Sequence, residues 1–119
     1  MHNFKELKIW QESMSLAKEI FVLTKKFPVE EKYGLVAQLN RAAVSIPSNI
    51  AEGCSRDSQK QFCQFLNVSL GSAFEIETQL ILANELNYIS KEELKNLIEK
   101  VTKIQKMISK LKDSIRQPS

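Results

Sequence analysis

Few residues in this sequence combine the types and spacing that catalysis requires. A catalytic dyad or triad with a histidine base could use only His2, the single histidine among 119 residues, and chain ends commonly fray. Glu75 and Glu77 are two positions apart, so on a helix they face different directions and do not form a general acid and base pair. We therefore expect no catalytic residues and interpret the chain as a non-enzymatic protein.

Metal and nucleotide sites find no support in the sequence either. A di-iron helical bundle would use Glu-x-x-His motifs, and none occurs. Cys54 and Cys63 have no second cysteine pair, which suits neither a zinc site nor a disulfide framework, so we interpret them as reduced thiols. The three glycines are isolated and form no phosphate-binding loop. The sequence thus predicts no metal, no cofactor and no small-molecule substrate.

A polar stripe recurs every three or four residues in the middle of the chain, formed by Arg41, Ser45, Asn49, Glu52 and Arg56. Such a stripe has three interpretations. It can be ordinary solvated surface, or a subunit interface in which Arg41, Asn49, Glu52 and Arg56 meet a neighbouring copy. It can also face RNA, with Arg41 and Arg56 on phosphates.

The charge of the chain is unevenly distributed. The net charge is +3 overall, but residues 91–119 carry eight basic and four acidic groups, whereas residues 28–90 carry four basic and seven acidic groups. A basic helix face attracts phosphates through its summed field. Lys103, Lys106 and Lys110 are therefore candidate nucleic-acid contacts, and the alternative is a solvated face of mixed charge.

Four helical segments must position these residues. Apolar residues recur at helical spacing over approximately 5–27, 30–53, 58–86 and 91–115, and the connections between the segments are short. This pattern predicts a single all-α domain over 1–119 with an up-and-down four-helix architecture. The first segment has two apolar rows, a face wide enough to meet two neighbours in the bundle and another subunit.

Breaks and caps define the ends of these segments. Pro47 interrupts the second segment, and because the apolar period continues beyond it we predict a kink rather than an end. We predict that Gly53 caps the second segment and that Asn87 ends the third. Ser58 and Ser90 have the spacing of capping boxes. The small residues around Gly71 would let another helix come close.

Solubility and location follow from the hydropathy pattern. The longest stretches without a charge are far shorter than the roughly 20 apolar residues that span a bilayer. Glu6 precedes any apolar run that could serve as a secretory signal. We therefore expect a cytoplasmic protein with no membrane contact.

Several short motifs follow one another along the chain: Tyr33-Gly34-Leu35, Gln38, the run Arg41 to Gly53, Gly71-Ser72, Glu75 and Glu77 to Leu80. Through these motifs, and through further matches before and after them, the chain resembles a bacterial family of four-helix-bundle proteins often encoded in intervening sequences of large-subunit (23S) ribosomal RNA genes. The resemblance covers nearly everything up to the fourth segment. One position departs from it: the family commonly has two arginines before Ala-Ala-Val, and the first is Asn40 here.

The resemblance implies a left-handed up-and-down bundle with a Pro-kinked second helix, assembled as a ring-shaped homopentamer. The family is also similar to accessory proteins of diversity-generating retroelements, which form basic barrels that bind a reverse transcriptase and nucleic acid. The implied role is an adaptor that binds structured RNA or an RNA-bound protein. The alternative is a protein-interaction scaffold that binds no nucleic acid. The motif from Ser45 to Gly53 is also open to an interpretation as a folding and assembly motif.

Overall fold

The computed structural model describes residues 3–115, and four α-helices account for most of them. Helix α1 spans Lys8–Thr24, α2 spans Leu35–Cys54, α3 spans Gln59–Glu85 and α4 spans Lys91–Ile115. Short 3-10 turns at Phe4–Glu6 and Val29–Glu31 precede α1 and α2, and residues 3–115 contain no β-strand. The all-helical prediction is confirmed. His2 lies outside the described residues.

Each helix packs against two others, in the cyclic order α1, α2, α3, α4. The contact between α2 and α3 is the most extensive and that between α1 and α4 the least, and within residues 3–115 no contact joins α1 to α3 or α2 to α4. The molecule measures 49 × 22 × 20 Å. This arrangement is that of a four-helix bundle. Its handedness stays a prediction.

The core consists of the apolar rows that the helical spacing indicates. Burial of a side chain of this size contributes about 1.5–3 kcal/mol relative to leaving it exposed. The largest side chains with essentially no exposure are Leu16, Ile20, Leu39, Ile46, Ile50, Leu66, Ile76, Leu80, Ile104 and Ile108. All four helices contribute side chains to this set, so the core is continuous along the bundle.

Two helices begin later than the sequence pattern indicates. Leu7 is extended, with φ −75° and ψ 128°, so α1 begins at Lys8 instead of near residue 5. Gly34 interrupts the second segment with φ −106° and ψ −112°, and α2 begins at Leu35 instead of near residue 30. The Glu31 carboxylate accepts a hydrogen bond of 3.0 Å from the Leu35 backbone N–H and satisfies one of the free donors at the start of α2.

The predictions for Pro47 and Gly53 have different outcomes. Helix α2 continues through Pro47, which is buried, and the predicted kink there stays a prediction. Gly53 was expected to cap the helix, and this is wrong, since α2 extends to Cys54. A Cβ at Gly53 would stand 2.8 Å from Cδ1 of Phe62 and 3.0 Å from Cβ of Phe65. Glycine is therefore needed here for close approach of α3 and not for a turn.

The predicted caps are present. Ser58 Oγ accepts a 3.1 Å hydrogen bond from the Gln61 N–H at the start of α3. At the start of α4, the Glu93 N–H donates to Ser90 Oγ over 3.0 Å, and the Ser90 N–H donates to the Glu93 carboxylate over 2.9 Å. Asn87 adopts a left-handed conformation, with φ 64°, directly after α3. The starts of α3 and α4 thus follow from local sequence.

Candidate functional site

Polar side chains from α2 and α3 pair across the outer edge of their contact, and we call this row the polar seam. From one end to the other the pairs are Gln38 with Gln79, Arg41 with Glu75, and Ser45 with Ser72. All six residues belong to the stretches that carry the family resemblance. The seam lies over the most extensive helix contact within residues 3–115.

Short hydrogen bonds hold the centre of the seam together. Ser72 Oγ donates to Ser45 Oγ over 2.8 Å, and buried Ser69 donates to the Ile46 carbonyl oxygen over 2.8 Å. Asn49 Nδ2 donates to the carbonyl oxygen of Ser45 over 2.8 Å. Asn49, a predicted interface residue, is therefore engaged within its own helix. At Ser69 and Ser72, α3 approaches α2 closely, as predicted, because the side chains of both residues are small.

Both arginines of the predicted stripe pair with carboxylates of the same chain. Arg41 Nη2 lies 3.5 Å from Glu75 Oε2, and Arg56 Nη2 lies 2.6 Å from Glu52 Oε2. The Arg56 guanidinium also lies 4.8 Å from the centre of the Phe65 ring. Because both pairs are exposed, each contributes at most about 1 kcal/mol to stability, and a partner could replace either one.

The Gln79 amide is the one poorly satisfied group of the seam. Its side chain is 8% exposed, and its Nε2 donates weakly to Gln38 Oε1 over 3.4 Å. Within residues 3–115, Gln79 Oε1 is a buried side-chain polar atom that has no hydrogen-bond partner. Leaving such an acceptor buried and unpaired costs about 1–3 kcal/mol, so a donor from outside the chain would stabilise it.

The predicted lysines of α4 lie on a different side of the bundle. Lys103 lies 3.6 Å from Glu12 of α1, and Lys100 forms an ion pair with Glu19 of α1. Lys106 and Lys110 are exposed on the same face, around a shallow depression of about 350 Å³ whose floor includes Met107. This row therefore runs along the exposed outside of α4, and Lys103 lies at its edge beside α1.

The five predicted nucleic-acid contacts do not form a single surface. Arg41 and Arg56 belong to the α2 side of the bundle, and the lysines at 103, 106 and 110 belong to α4, which does not contact α2 within the described residues. The polar seam and the lysine row are therefore on opposite sides. The sequence pattern could not show this, because periodicity assigns residues to a face of one helix and not to a side of the bundle.

Two further surfaces are apolar and exposed. The outer groove between α1 and α2 has a volume of about 460 Å³ and is lined by Trp10, Met14, Phe21, Val44 and Pro47 among others. Met14, Phe21 and Val44 are each more than 40% exposed there. The outer face of α3 exposes Val68, Phe74, Ile81, Leu82 and Leu86. The wide apolar face of α1 indicated the first surface, whereas the weak amphipathic pattern of α3 concealed the second.

Four titratable groups have environments that shift their pKa, and one of them is Tyr88, whose pKa is raised first by its hydrogen bond to Glu31. The backbone N–H of Leu35, and then the Tyr88 hydroxyl at 2.8 Å, lower the pKa of Glu31. The ammonium of Lys26 lowers the pKa of Glu93. Burial raises the pKa of Cys54, which is a free thiol like Cys63. Each shift stabilises the protonation state expected near neutral pH, so none of these groups is poised for proton transfer.

Within 3–115, no three His, Cys, Asp or Glu side chains are placed to hold a metal ion. No helix in that range is both long and apolar enough to cross a membrane.

Comparison with known proteins identifies the family. A crystal structure of a protein of unknown function from the S23 ribosomal protein family of Bacteroides thetaiotaomicron superimposes with a TM-score of 0.82 at 28% identity. The match covers 88% of this chain and 95% of that one. A comparison with curated proteins finds no match. The profile of the 23S rRNA-intervening sequence proteins matches residues 5–110, most of the chain, and the protein therefore belongs to that family.

Proposed function

We propose that this protein is a non-enzymatic, homo-oligomeric bundle that binds structured RNA through the lysine row of α4 and acts as an RNA-associated adaptor in the cytoplasm. The observation that carries the proposal is that exposed Lys103, Lys106 and Lys110 share one face of α4. Membership of a family named for intervening sequences of 23S rRNA supports it. Phosphate contacts dominate the affinity of such surfaces.

The spacing of the lysines suits a phosphate backbone. Lys103 and Lys110 are seven residues apart, so the row extends over about 10 Å along the helix axis. Among the described residues, no carboxylate lies within ion-pair distance of Lys106 or Lys110, whereas Lys103 pairs with Glu12. A phosphate would therefore compete with Glu12 for Lys103 and would meet Lys106 and Lys110 directly.

Self-assembly would strengthen such a surface. Each chain carries a net charge of +3, so five copies would carry +15. Repeated weak contacts on one assembly raise the overall affinity by effective concentration. The exposed apolar faces on α1 and α3 support self-assembly, since contiguous exposed apolar surface commonly marks an interface.

The direct test is fluorescence anisotropy with a labelled structured RNA. We expect the K103E/K106E/K110E variant to bind at least about tenfold more weakly than the wild type, because three attractive contacts become repulsive. The matched control is K32E/K91E/K95E, which changes the net charge equally at the other end of the bundle and should retain most of the affinity. An equal loss of RNA affinity in both variants would mean that only the total charge matters, and it would contradict a defined lysine surface.

A second candidate is an interaction scaffold that binds no nucleic acid. The intrachain pairing of Arg41 and Arg56 with carboxylates favours it, because a phosphate would have to displace Glu75 or Glu52 to reach these arginines. The scaffold would be favoured over the RNA-binding adaptor if the wild type bound no RNA at low salt and formed a stable oligomer in light scattering.

A further inference from the structure

The groove between α1 and α4 has no role in the fold. Its volume of about 620 Å³ lies within the range of about 300–1,000 Å³ that is common for ligand sites. Val22, Leu23 and Leu97 supply its apolar side chains, and Val22 is 61% exposed. The contact between α1 and α4 is the least extensive of the four helix contacts, so the groove is open to the outside. No part of residues 3–115 fills it.

Two ion pairs close the ends of this groove. Lys26 of α1 pairs with Glu93 of α4, and Glu19 of α1 pairs with Lys100 of α4. The two pairs are seven residues apart along each helix, so the space between them is about 10 Å long. A helix of a partner protein is about 10–12 Å wide, and along the groove it would break both pairs. The space therefore suits a single flat group better than a helix.

Polar groups on the rim of the groove are available to a ligand. Ser15, Lys18 and Asn96 line it, and within residues 3–115 none of these side chains forms a hydrogen bond or an ion pair. Glu19 pairs with Lys100 through Oε2, which leaves Oε1 as a further acceptor. The rim thus combines donors and acceptors beside apolar side chains. A nucleobase matches this composition, because its faces stack on apolar groups and its edge carries hydrogen-bonding groups.

The groove begins where the lysine row ends. Asn96, Lys103 and Lys110 are spaced by seven residues, so they follow one line along the outside of α4, and Asn96 borders the groove. The axial distance from Lys103 to Asn96 is about 10 Å, which equals the step from Lys110 to Lys103. An RNA strand that lies on the row would therefore reach the groove next.

Charge directs such a strand towards α1. Beyond Lys103, the exposed residues Glu99 and Glu92 would repel a phosphate backbone that continued straight along α4. Beside α1, by contrast, Lys100 and Lys18 are exposed and attract it. The strand should therefore turn across the groove.

We propose that the α1–α4 groove binds one unpaired nucleobase of the RNA whose backbone lies on the lysine row. The base packs against Val22, Leu23 and Leu97, and its edge hydrogen-bonds to Asn96 and Glu19. A base inside a duplex is stacked and paired, so the groove selects stems that carry a bulged or flipped base. This proposal rests on the RNA binding proposed above and adds the kind of RNA that the protein prefers.

The first test compares two RNA hairpins that differ by one nucleotide. One stem is fully paired, and the other carries a single bulged 2-aminopurine, a fluorescent base. In anisotropy titrations the wild type should bind the bulged stem about tenfold more tightly, since holding one base against a protein surface commonly has an effect of this size. The ratio of the two affinities should persist at high salt while both affinities fall, because apolar contacts and hydrogen bonds do not release counterions.

The fluorescence of the bulged base reports its position. The emission of 2-aminopurine is quenched by stacking on other bases. It should increase when the protein binds, because the base leaves the RNA stack and no aromatic side chain lines the groove.

The second test changes the groove and leaves the lysine row intact. Val22→Glu places a charge among the apolar side chains, and Val29→Glu makes the same change outside the groove, at a valine that is 81% exposed. V22E should lose both the preference for the bulged stem and the increase in fluorescence, yet bind the paired stem like V29E. Asn96→Ala should weaken binding of the bulged stem about two- to fivefold through a lost hydrogen bond and leave the paired stem unaffected. All three positions are exposed, so the melting temperatures should stay close to that of the wild type.

The outcomes distinguish this site from the proposed RNA binding. If the wild type bound neither stem at low salt, both proposals would be wrong. Equal affinity for the two stems, with binding lost in K103E/K106E/K110E, would overturn the groove site alone and leave the lysine row in place. A preference for the bulged stem that V22E retained in full would place the base elsewhere on the protein and would also contradict the groove site.

Discussion

Glu31 joins three parts of the bundle through one carboxylate. It accepts a hydrogen bond from the Leu35 N–H at the start of α2 and another from the Tyr88 hydroxyl, which follows α3. The Tyr88 ring also packs against Phe27, with ring centres 5.3 Å apart. The charged carboxylate therefore fastens one end of the bundle, where α1, α2 and α3 meet.

This joint predicts a pH dependence of stability. The hydrogen bond from Leu35 and then that from Tyr88 lower the pKa of Glu31 in the folded chain. A lowered pKa means that its stabilisation is complete above the ordinary glutamate pKa and is lost as the pH falls through the lowered value. In Glu31→Gln, we expect a lower melting temperature at pH 7 and a smaller decrease on acidification than in the wild type.

Thermal denaturation from pH 7 to pH 3 measures both effects. Glu30→Gln is the matched control, because Glu30 is exposed and neighbours Glu31 in the same turn. If the melting temperature of Glu31→Gln equalled that of the wild type at every pH, the hydrogen bonds of Glu31 would not contribute to stability.

Gly53 gives a sharper prediction at the same scale. Its missing Cβ leaves room for Phe62 and Phe65 of α3, which would otherwise lie 2.8 and 3.0 Å away. Gly53→Ala should destabilise the fold by about 1–3 kcal/mol, the usual cost of overpacking, although alanine is the better helix former. Urea denaturation measures the change. An increase in stability would mean that α3 can move to make room for the added methyl group and that the contact of Gly53 with Phe62 is not tight.

The residue-scale predictions from sequence succeeded where the signal was local. The caps at Ser58 and Ser90 follow from short-range hydrogen bonds, and the structure contains both. The role of Gly53 was missed because it depends on Phe62, which only the fold brings to it. The pairing of Arg41 with Glu75 was missed for the same reason, since 34 residues separate them.

At the scale of elements, small hydroxyl residues hold α2 and α3 together. Ser69 is fully buried and donates to the Ile46 carbonyl oxygen, one residue before Pro47. We expect Ser69→Ala to cost about 1 kcal/mol through the lost hydrogen bond, and Ser69→Leu to cost clearly more, because added methylene groups would force the helices apart. Denaturant unfolding measures both. Equal costs for the two variants would contradict close packing here.

The contact between α1 and α4 depends more on charged side chains than the contact between α2 and α3 does. Glu12 lies 3.6 Å from Lys103 and would compete with a phosphate for it. Glu12→Gln should therefore strengthen binding of structured RNA about two- to fivefold at low salt, with little change in stability, since exposed ion pairs contribute about 0–1 kcal/mol. The change should shrink at high salt.

Anisotropy titrations at two salt concentrations measure this effect. Glu92→Gln removes an equal charge at the far end of α4 and is the control. Unchanged or weaker RNA binding by E12Q than by the control would exclude Lys103 as a phosphate contact.

The elements themselves were largely predictable from sequence. Apolar periodicity identified the four helices, and α4 was placed at the bounds observed, because its capping box and spacing are regular. The starts of α1 and α2 were missed by three to five residues, because Leu7 and Gly34 adopt backbone conformations that periodicity does not encode.

At the scale of the whole molecule, the main feature is the distribution of surfaces. The polar seam and the lysine row occupy opposite sides, and apolar surface remains on α1 and α3. A sequence pattern cannot reveal this, because it depends on which helices are neighbours. The self-assembly and the RNA binding proposed above would therefore use separate surfaces of the bundle.

The central claim is that the lysine row of α4 binds RNA phosphates, and the salt dependence of binding tests it most directly. The logarithm of the affinity for a structured RNA should fall linearly with the logarithm of salt concentration, with a slope of about −0.7 to −0.9 per phosphate contact. We predict a steep slope for the wild type and a slope shallower by about two to three for K103E/K106E/K110E. Identical slopes for the two proteins, or no wild-type binding at low salt, would contradict it.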